Sequence, residues 1–360
     1  QMALNLSSIT SDLMILSESQ TLQNYFSSKE KMYLKQIMKE YLVFSQRKRL
    51  YDQIRYLDNQ GKEIVRVNFN SGNPDIIDDT QLQNKGKRYY FKDTVKLGKG
   101  EIFVSPFDLN IENGKIETPL KPMIRFGTPV FDNNGKNRGI VLLNYLGENL
   151  ITNLKQLNEG RISRVMLLNS DGFWIKGLDK EKEWGFMYDN RKDDRFGVYF
   201  PVIWQQIKEN NSFQMENKEG LFTSMTIYPF KESLKSSTGS RKPFNPSSAY
   251  LSGKQYHWKI VSYVPKDLLT LQSKKILIPL ILLNMILFVI IGIGSWLISR
   301  AFVHRKKIEE NLEKAKKELD QRVKERTFQL FEMNTELEKE IGERILAEKS
   351  VRLREEQYRG

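Results

Sequence analysis

Side chains that commonly act as nucleophiles, general bases or soft metal ligands are scarce in this sequence. Its 360 residues include no cysteine and only two histidines, His257 and His304. The lack of cysteine excludes disulfides, thiol nucleophiles, thiolate zinc sites and iron–sulfur clusters. His257 lies in an alternating stretch typical of a strand, and His304 lies in the basic run FVHRKK. Neither belongs to a recognisable catalytic constellation, so we predict no catalytic residue.

Two short runs have part of the composition of a ligand-binding loop. The run LGKG at 97–100 lacks the spacing of a phosphate-binding loop. The run DNNG at 132–135 lacks the later acidic residues of a calcium-binding loop. We interpret both as turns and expect neither a metal nor a cofactor.

The remaining candidate is a site that recognises a ligand. Arg88, Tyr89 and Tyr90 are adjacent in sequence, and Asp108 and Arg125 lie in two strand-like stretches that follow. A guanidinium group binds a carboxylate through two parallel hydrogen bonds, and phenols add hydrogen bonds and ring contacts. These five residues are therefore predicted to bind a carboxylate-bearing small molecule. The alternative is that Arg125 and Asp108 form a structural ion pair and the tyrosines pack in the core.

The elements that must position these side chains precede one apolar stretch. Residues 276–299 contain no charged side chain. As a helix they would extend about 36 Å, enough to cross a hydrocarbon core of about 30 Å. Pro279 lies in the first turn, where a missing N–H is harmless, and glycines are tolerated in membrane helices. We predict one transmembrane helix over 276–299, in contact with membrane lipid.

The residues before the span change from one periodicity to another. Residues 1–50 are predicted to be a long helical segment of two helices, divided near Ser27 and Ser28, because the spacing of apolar residues is helical and Gly and Pro are rare. A strand–turn–strand pattern then recurs at 129–146 and 165–177. The run 231–248 is rich in Ser, Lys and Pro, so we expect a surface loop there.

Together these patterns predict an α+β fold with two antiparallel domains, residues 51–150 and residues 151–270, joined by a helix over 146–159.

Four runs in the first of these domains resemble a known family: DQIRYLDNQGKEIVRVN, KGKRYYF, EIFVSPFDLN and MIRFGTPVFDNNGKNRGIVLLNYLG. They are similar to the double Cache, or tandem PAS-like, extracellular sensor domain of bacterial transmembrane sensor histidine kinases. The resemblance covers residues 1–270 in architecture, with its motifs confined to 53–147. It implies a long N-terminal helix, a membrane-distal domain with the ligand pocket, and a membrane-proximal domain that usually has none. The ligand itself is not identified by it.

Residues 300–360 have the pattern of a long coiled-coil helix. Positions at steps of three and four, with breaks, make a stuttered seam whose residues are apolar up to its last position. They are Leu312, Ala315, Leu319, Val323, Leu330, Met333, Leu337, Ile341, Ile345 and finally the charged Glu348. The triplet Glu325–Arg326–Thr327 and the closing run EEQYR at 355–359 resemble the signalling helix that connects membrane sensors to cytoplasmic domains, here a following PAS domain. The segment is predicted to form a homodimer, together with the N-terminal helix.

The leading interpretation is the ligand-sensing and transmembrane part of a sensor histidine kinase. The catalytic domains would lie outside this chain, because neither histidine has the acidic and prolyl surroundings of a phosphoacceptor helix. The alternatives are the sensory part of a membrane diguanylate cyclase, a chemoreceptor, which is disfavoured because no HAMP domain follows the span, and a structural coiled-coil protein. The direction of the signal stays open.

The distribution of charge bears on location and partners. Of the net charge of +13, +11 lies in the segment before the span, where it is scattered rather than clustered, so we expect no nucleic-acid partner. The basic residues that follow the span weakly favour a cytoplasmic C-terminus. The first residue is Gln1, which fits either a removed signal peptide or a preceding membrane helix. We expect the cell (inner) membrane, with 1–275 periplasmic or extracellular and 300–360 cytoplasmic.

Overall fold

The structure is a computed structural model that describes residues 2–112, 114–239 and 246–357. The chain divides into two units, Gln1–Gln272 and Ser273–Gly360.

The first unit begins with helices α1 Met2–Ser17, α2 Gln20–Ser28 and α3 Lys31–Lys48. The helical segment predicted for 1–50 is confirmed, and the break near Ser28 is present, but a further break separates α1 from α2. Ser19 causes that break, because its side chain accepts a hydrogen bond from the Leu22 N–H and so starts a new helix.

Sixteen strands and four further helices follow in the described residues of this unit. In chain order they are β1 Tyr51–Leu57, β2 Glu63–Asn68, β3 Asp75–Ile76, α4 Tyr89–Val95, β4 Phe103–Val104, β5 Asp108–Leu109, β6 Ile111–Glu112, β7 Lys115–Ile116, β8 Pro122–Phe131, β9 Asn137–Leu146, α5 Glu148–Asn158, β10 Arg164–Leu168, β11 Trp174–Lys176, α6 Phe196–Tyr199, α7 Pro201–Glu209, β12 Ser212–Glu216, β13 Gly220–Ile227, β14 Lys235–Ser237, β15 Tyr250–Ser252 and β16 Trp258–Pro265.

The first sheet has the order β15-β14-β4-β8-β9-β1-β2-β3, with β5 also paired to β8. Side chains alternate between its two faces, as they must in a strand. In β9, Val141 and Leu143 pack in the cluster that contains the residues of α1–α3, whereas Ile140 and Leu142 pack with Tyr89 of α4. Helices therefore cover both faces of this sheet, which explains why β8 and β9 are buried almost throughout.

The second sheet has the order β11-β10-β16-β13-β12 and follows the connecting helix α5. One of its faces carries α6 and α7, where Phe196, Ile203 and Ile207 pack against Met166 and Phe222 of the strands. The two-sheet α+β architecture predicted from the sequence is confirmed.

The run 231–248, expected as a surface loop, is partly strand. Residues 240–245 lie outside the described residues, but β14 pairs in parallel with β4 through Lys235↔Phe103 and Ser236↔Val104. The expectation of a loop is therefore wrong for residues 235–237. A strand of three residues that forms by pairing with the edge of a distant strand has no hydrophobic periodicity that the sequence could reveal. The chain that follows α7 and β13 thus returns to complete the first sheet.

A single long helix, α8, extends from Lys266 to Gln357, with Pro279 inside it. It starts directly after β16 ends at Pro265. In the second unit the apolar side chains of the span are largely exposed, as for Phe288 at 74 %. This is the one helix, within the described parts of the chain, that is long and apolar enough to cross a membrane. Residues 358–359 of the predicted EEQYR motif lie outside the described residues.

Candidate functional site

The five predicted site residues come together on one side of the first sheet. Arg88 immediately precedes α4, Tyr89 and Tyr90 form its first turn, and Arg125 lies in the central strand β8. Asp108 in β5 is paired with Met123 of β8, two positions before Arg125 in the chain. Since α4 packs against β8, all five side chains are buried.

Arg125 and Asp108 form a close ion pair inside the first unit. Their Nη1 and Oδ1 atoms are 2.6 Å apart, and Tyr89 donates a hydrogen bond of 2.9 Å to the other carboxylate oxygen. Arg125 also donates to the amide oxygen of Asn110 at 3.0 Å. Burial by itself lowers the pKa of Arg125, but Asp108, Tyr89 and Tyr90 together outweigh it, and the pKa is raised. Both charges are thus compensated within the protein.

Tyr90 lies at the centre of a group of cations. Its ring centroid is 5.2 Å from the guanidinium carbon of Arg125, 5.5 Å from that of Arg88 and 5.6 Å from that of Arg55. Burial raises the pKa of Tyr90, but Arg55, Arg88, Lys85 and Arg125 together lower it below its ordinary value of 10.0. We call these four cations and Tyr90 the cation cluster.

The cations of this cluster differ in their partners. Arg55 pairs with the buried Glu63 at 3.3 Å and donates to Asn144 at 2.7 Å. Lys85 lies 3.7 Å from a carboxylate oxygen of Glu112. Arg88 is 7 % exposed, makes no ion pair with any residue that the structure describes, and has an Nε atom that is buried without a hydrogen-bond partner. Within the cation cluster, Arg88 is therefore the one whose charge no acidic residue among those described compensates.

The sequence interpretation missed Arg55 and Lys85. Arg55 occurs within the buried strand β1, where it is 2 % exposed, and a charged residue between the apolar Ile54 and Tyr56 was the available signal. Lys85 offered no comparable signal, because only the fold brings it to Tyr90.

A cavity of about 540 Å³ adjoins this site but is lined by different residues. Of the five predicted residues only Asp108 lines it, together with Phe107, Trp258 and His257. The other acidic residues that line it are Asp171 and Asp189, and none of the lining residues that the structure describes is a lysine or an arginine. The cavity lies where residues of β5 meet loops of the second sheet.

Phe107 connects the two sheets beside this cavity. Its ring centroid lies 5.2 Å from Trp184 and 5.7 Å from Trp258. Its backbone N–H donates to the hydroxyl of Tyr256 at 2.9 Å, and the Trp258 indole donates to the same hydroxyl at 3.0 Å. These contacts therefore connect the residue before β5 to β16, the strand that α8 follows in the chain.

The chain belongs to the family of bacterial histidine kinase sensor domains, whose model matches residues 3–235. Its fold resembles that of a domain assigned to a sensory box/GGDEF family protein from Vibrio parahaemolyticus, with 21% identity, a TM-score of 0.59, and coverage of 75% of this chain and 94% of the other. It also resembles the extracellular domain assigned to the histidine kinase vpHK1S-Z8, with 21% identity, a TM-score of 0.59, and coverage of 76% and 90%. No curated protein matches the sequence.

These findings define the class of the protein as a membrane-anchored sensor of signal transduction. The family match confirms the histidine kinase interpretation, and the apolar helix makes it a membrane protein.

Proposed function

We propose that this chain receives a small-molecule signal outside the cytoplasm and passes it through α8 to the inside of the cell. The observation that carries the proposal is the continuity of a histidine kinase sensor domain, matched over 3–235, with a helix that begins directly after β16 and includes the apolar span. In this proposal residues 51–150 form the membrane-distal domain, residues 151–270 the membrane-proximal domain, and residues 300–360 a cytoplasmic dimeric coiled coil. Output through a diguanylate cyclase remains the alternative.

For the ligand we propose a carboxylate-bearing small molecule anchored by Arg88. Arg125 and Asp108 already satisfy each other, so neither offers a free charge. Arg88 has no such partner in the described residues and is held beside the ring of Tyr90. A buried charge is costly unless it is paired, so a carboxylate that reached Arg88 would gain a strong, charge-assisted interaction.

This proposal requires a movement of α4. Arg88 does not line the 540 Å³ cavity, whereas Asp108 does. A ligand in that cavity could reach Arg88 if the start of α4 shifted relative to β5. Binding would then favour one conformation over another, which is what a sensor requires.

The test is calorimetry on the full chain in detergent micelles, with a panel of small carboxylates and amines. We expect a carboxylate to bind, and Arg88→Ala to weaken its binding by about 10- to 100-fold, the loss of one charge-assisted contact. Arg161→Ala, a change at an exposed arginine of the α5–β10 connection, is the matched control and should leave affinity unchanged.

Arg125→Ala distinguishes recognition from structure. It leaves Asp108 buried without its cation, and should lower the free energy of unfolding by about 3–5 kcal/mol, whereas Arg88→Ala should not. Carboxylate binding that is undiminished in Arg88→Ala and in Arg125→Ala would refute the proposed anchor.

A further inference from the structure

The second sheet carries a separate basic cavity of about 480 Å³. It lies between the β10–β11 turn, the segment before α6, and α7. Lys192, Arg195 and Lys208 line it, with the aromatic residues Phe173 and Trp204. Ser170 and Asp171 of the turn border both this cavity and the larger one.

The charged side chains that line this cavity are exposed, and the basic ones outnumber the acidic ones. Lys192, Arg195 and Lys208 make no ion pair with residues in the described ranges, although ion pairs are common elsewhere in this unit. Among the described residues that line the cavity, Asp171 is the one acidic residue. Three formal positive charges against one negative leave an excess of two, which matches a doubly charged anion.

The frame that holds these side chains is rigid. The Phe196 N–H donates to the Gly172 carbonyl at 2.8 Å, and Phe173 and Arg195 form an antiparallel bridge. Phe196 itself is fully buried in the core of the second sheet. The backbone that carries Arg195 is thus fixed to the β10–β11 turn, and the Arg195 guanidinium lies 5.9 Å from the ring centroid of Phe173.

The indole of Trp204 forms one side of the cavity, and its position requires glycine at two neighbouring positions. A Cβ atom at Gly172 would lie 2.9 Å from Trp204 Cζ2, and one at Gly197 would lie 2.5 Å from Trp204 Cδ1. Side chains at these positions would therefore displace the indole. Its Nε1 makes no hydrogen bond to any described residue, so the indole has a donor to offer a ligand.

From this arrangement we infer that the cavity binds a phosphate group. Arg195 offers the planar fork that binds phosphate through two hydrogen bonds, and the two lysines add compact charges. A volume of about 480 Å³ is larger than a phosphate ion and lies in the range of small-molecule sites, so there is room for an attached organic group against Trp204. The group would be carried by a free phosphorylated metabolite or by a lipid headgroup, and the site is separate from Arg88.

The experiment is calorimetry with inorganic phosphate and glycerol 3-phosphate on the full chain in phosphatidylcholine nanodiscs. Both probes should bind, glycerol 3-phosphate more tightly. Arg195→Ala and Lys208→Ala should each weaken binding by about tenfold or more, since each removes a charge-assisted contact. Lys218→Ala is the matched control, because Lys218 is a 90% exposed lysine of the same sheet domain that does not line the cavity.

Nanodiscs that contain phosphatidylglycerol separate the two sources of phosphate. If the lipid headgroup occupies the site, these discs should weaken the apparent binding of glycerol 3-phosphate to the wild-type chain, and if the ligand is a free metabolite they should not. Either result supports a phosphate site. The inference is overturned if neither probe binds, or if the Arg195 and Lys208 variants bind as the wild-type chain does. Thermal unfolding of each variant shows whether it has folded.

Discussion

Tyr90 shows how strongly a local set of charges can act on one side chain. It is 3 % exposed, and burial alone would raise the pKa of its hydroxyl. Instead the surrounding arginines and Lys85 lower it, because each of them stabilises the phenolate. Ring contacts with Arg55, Arg88 and Arg125 hold Tyr90 at the centre of the cation cluster.

This arrangement predicts a pH dependence of stability. The pKa of Tyr90 is lower in the folded than in the unfolded chain. Loss of the phenol proton therefore stabilises the fold increasingly as the pH rises from the folded-state pKa towards 10.0. At pH values below the folded-state pKa it contributes nothing. The free energy of unfolding of the wild-type chain should therefore rise relative to that of Tyr90→Phe over this interval. Urea unfolding of both chains at a series of pH values measures the difference, and a difference that is constant with pH would contradict the prediction.

At the scale of elements, the decisive contact is that of Phe107, the residue before β5, with Trp184 and Trp258. Gly147, which starts α5, lies so close to this ring that an added Cβ would be 2.2 Å from Phe107 Cε2. The aromatic group of Phe107, Trp184 and Trp258 therefore has no free space on that side. The N-terminal end of α5, the helix between the two sheets, is thus held against Phe107.

Gly147→Ala should consequently destabilise the first unit by overpacking, by about 1–3 kcal/mol. Phe107→Leu removes the ring atoms that clash, so the double variant should lose less stability than the sum of the two single variants. Thermal unfolding of the four chains measures this coupling. Gly98→Ala is the control, because a Cβ there meets only the flexible end of Glu101 at 3.5 Å. If the stability lost in the double variant equals the sum of the two single losses, the contact between residue 147 and Phe107 is not the cause of the destabilisation.

For the whole molecule, the predicted coiled coil would make transmission depend on how α8 pairs with a second copy. The chain has no cysteine, so single cysteines can be introduced without a background of disulfides. Leu319 and Leu337 belong to the predicted seam, while Lys317 and Lys339 lie two residues away, on nearly the opposite side of the helix.

We expect Leu319→Cys and Leu337→Cys to form disulfide-linked dimers in membranes under mild oxidation, and Lys317→Cys and Lys339→Cys to do so much less. The reason is that seam residues of the two helices face each other across the dimer axis. Gel mobility without reductant measures the yield. Equal yields at seam and control positions would contradict the predicted coiled coil.

The sequence alone was sufficient for features that depend on local pattern. The charge-free run 276–299 identified the apolar span of α8, and the strand–turn–strand pattern at 165–177 matches β10 and β11. Helix α5 was predicted within two residues at its start and one at its end. In each case hydrophobic periodicity or length is imposed by the environment of the element, so it is recorded in neighbouring residues.

What the tertiary structure decided is which partners those elements acquire. The sequence brought together Arg88, Tyr89, Tyr90, Asp108 and Arg125 as candidates, but only the pairing of β5 with β8 joins Asp108 to Arg125 and leaves Arg88 without a counterion in the described residues. The addition of β14 to β4 and the basic cavity around Trp204 likewise join residues far apart in the chain. Such contacts depend on backbone hydrogen bonds and packing between distant segments, and these leave no periodic trace in either segment alone.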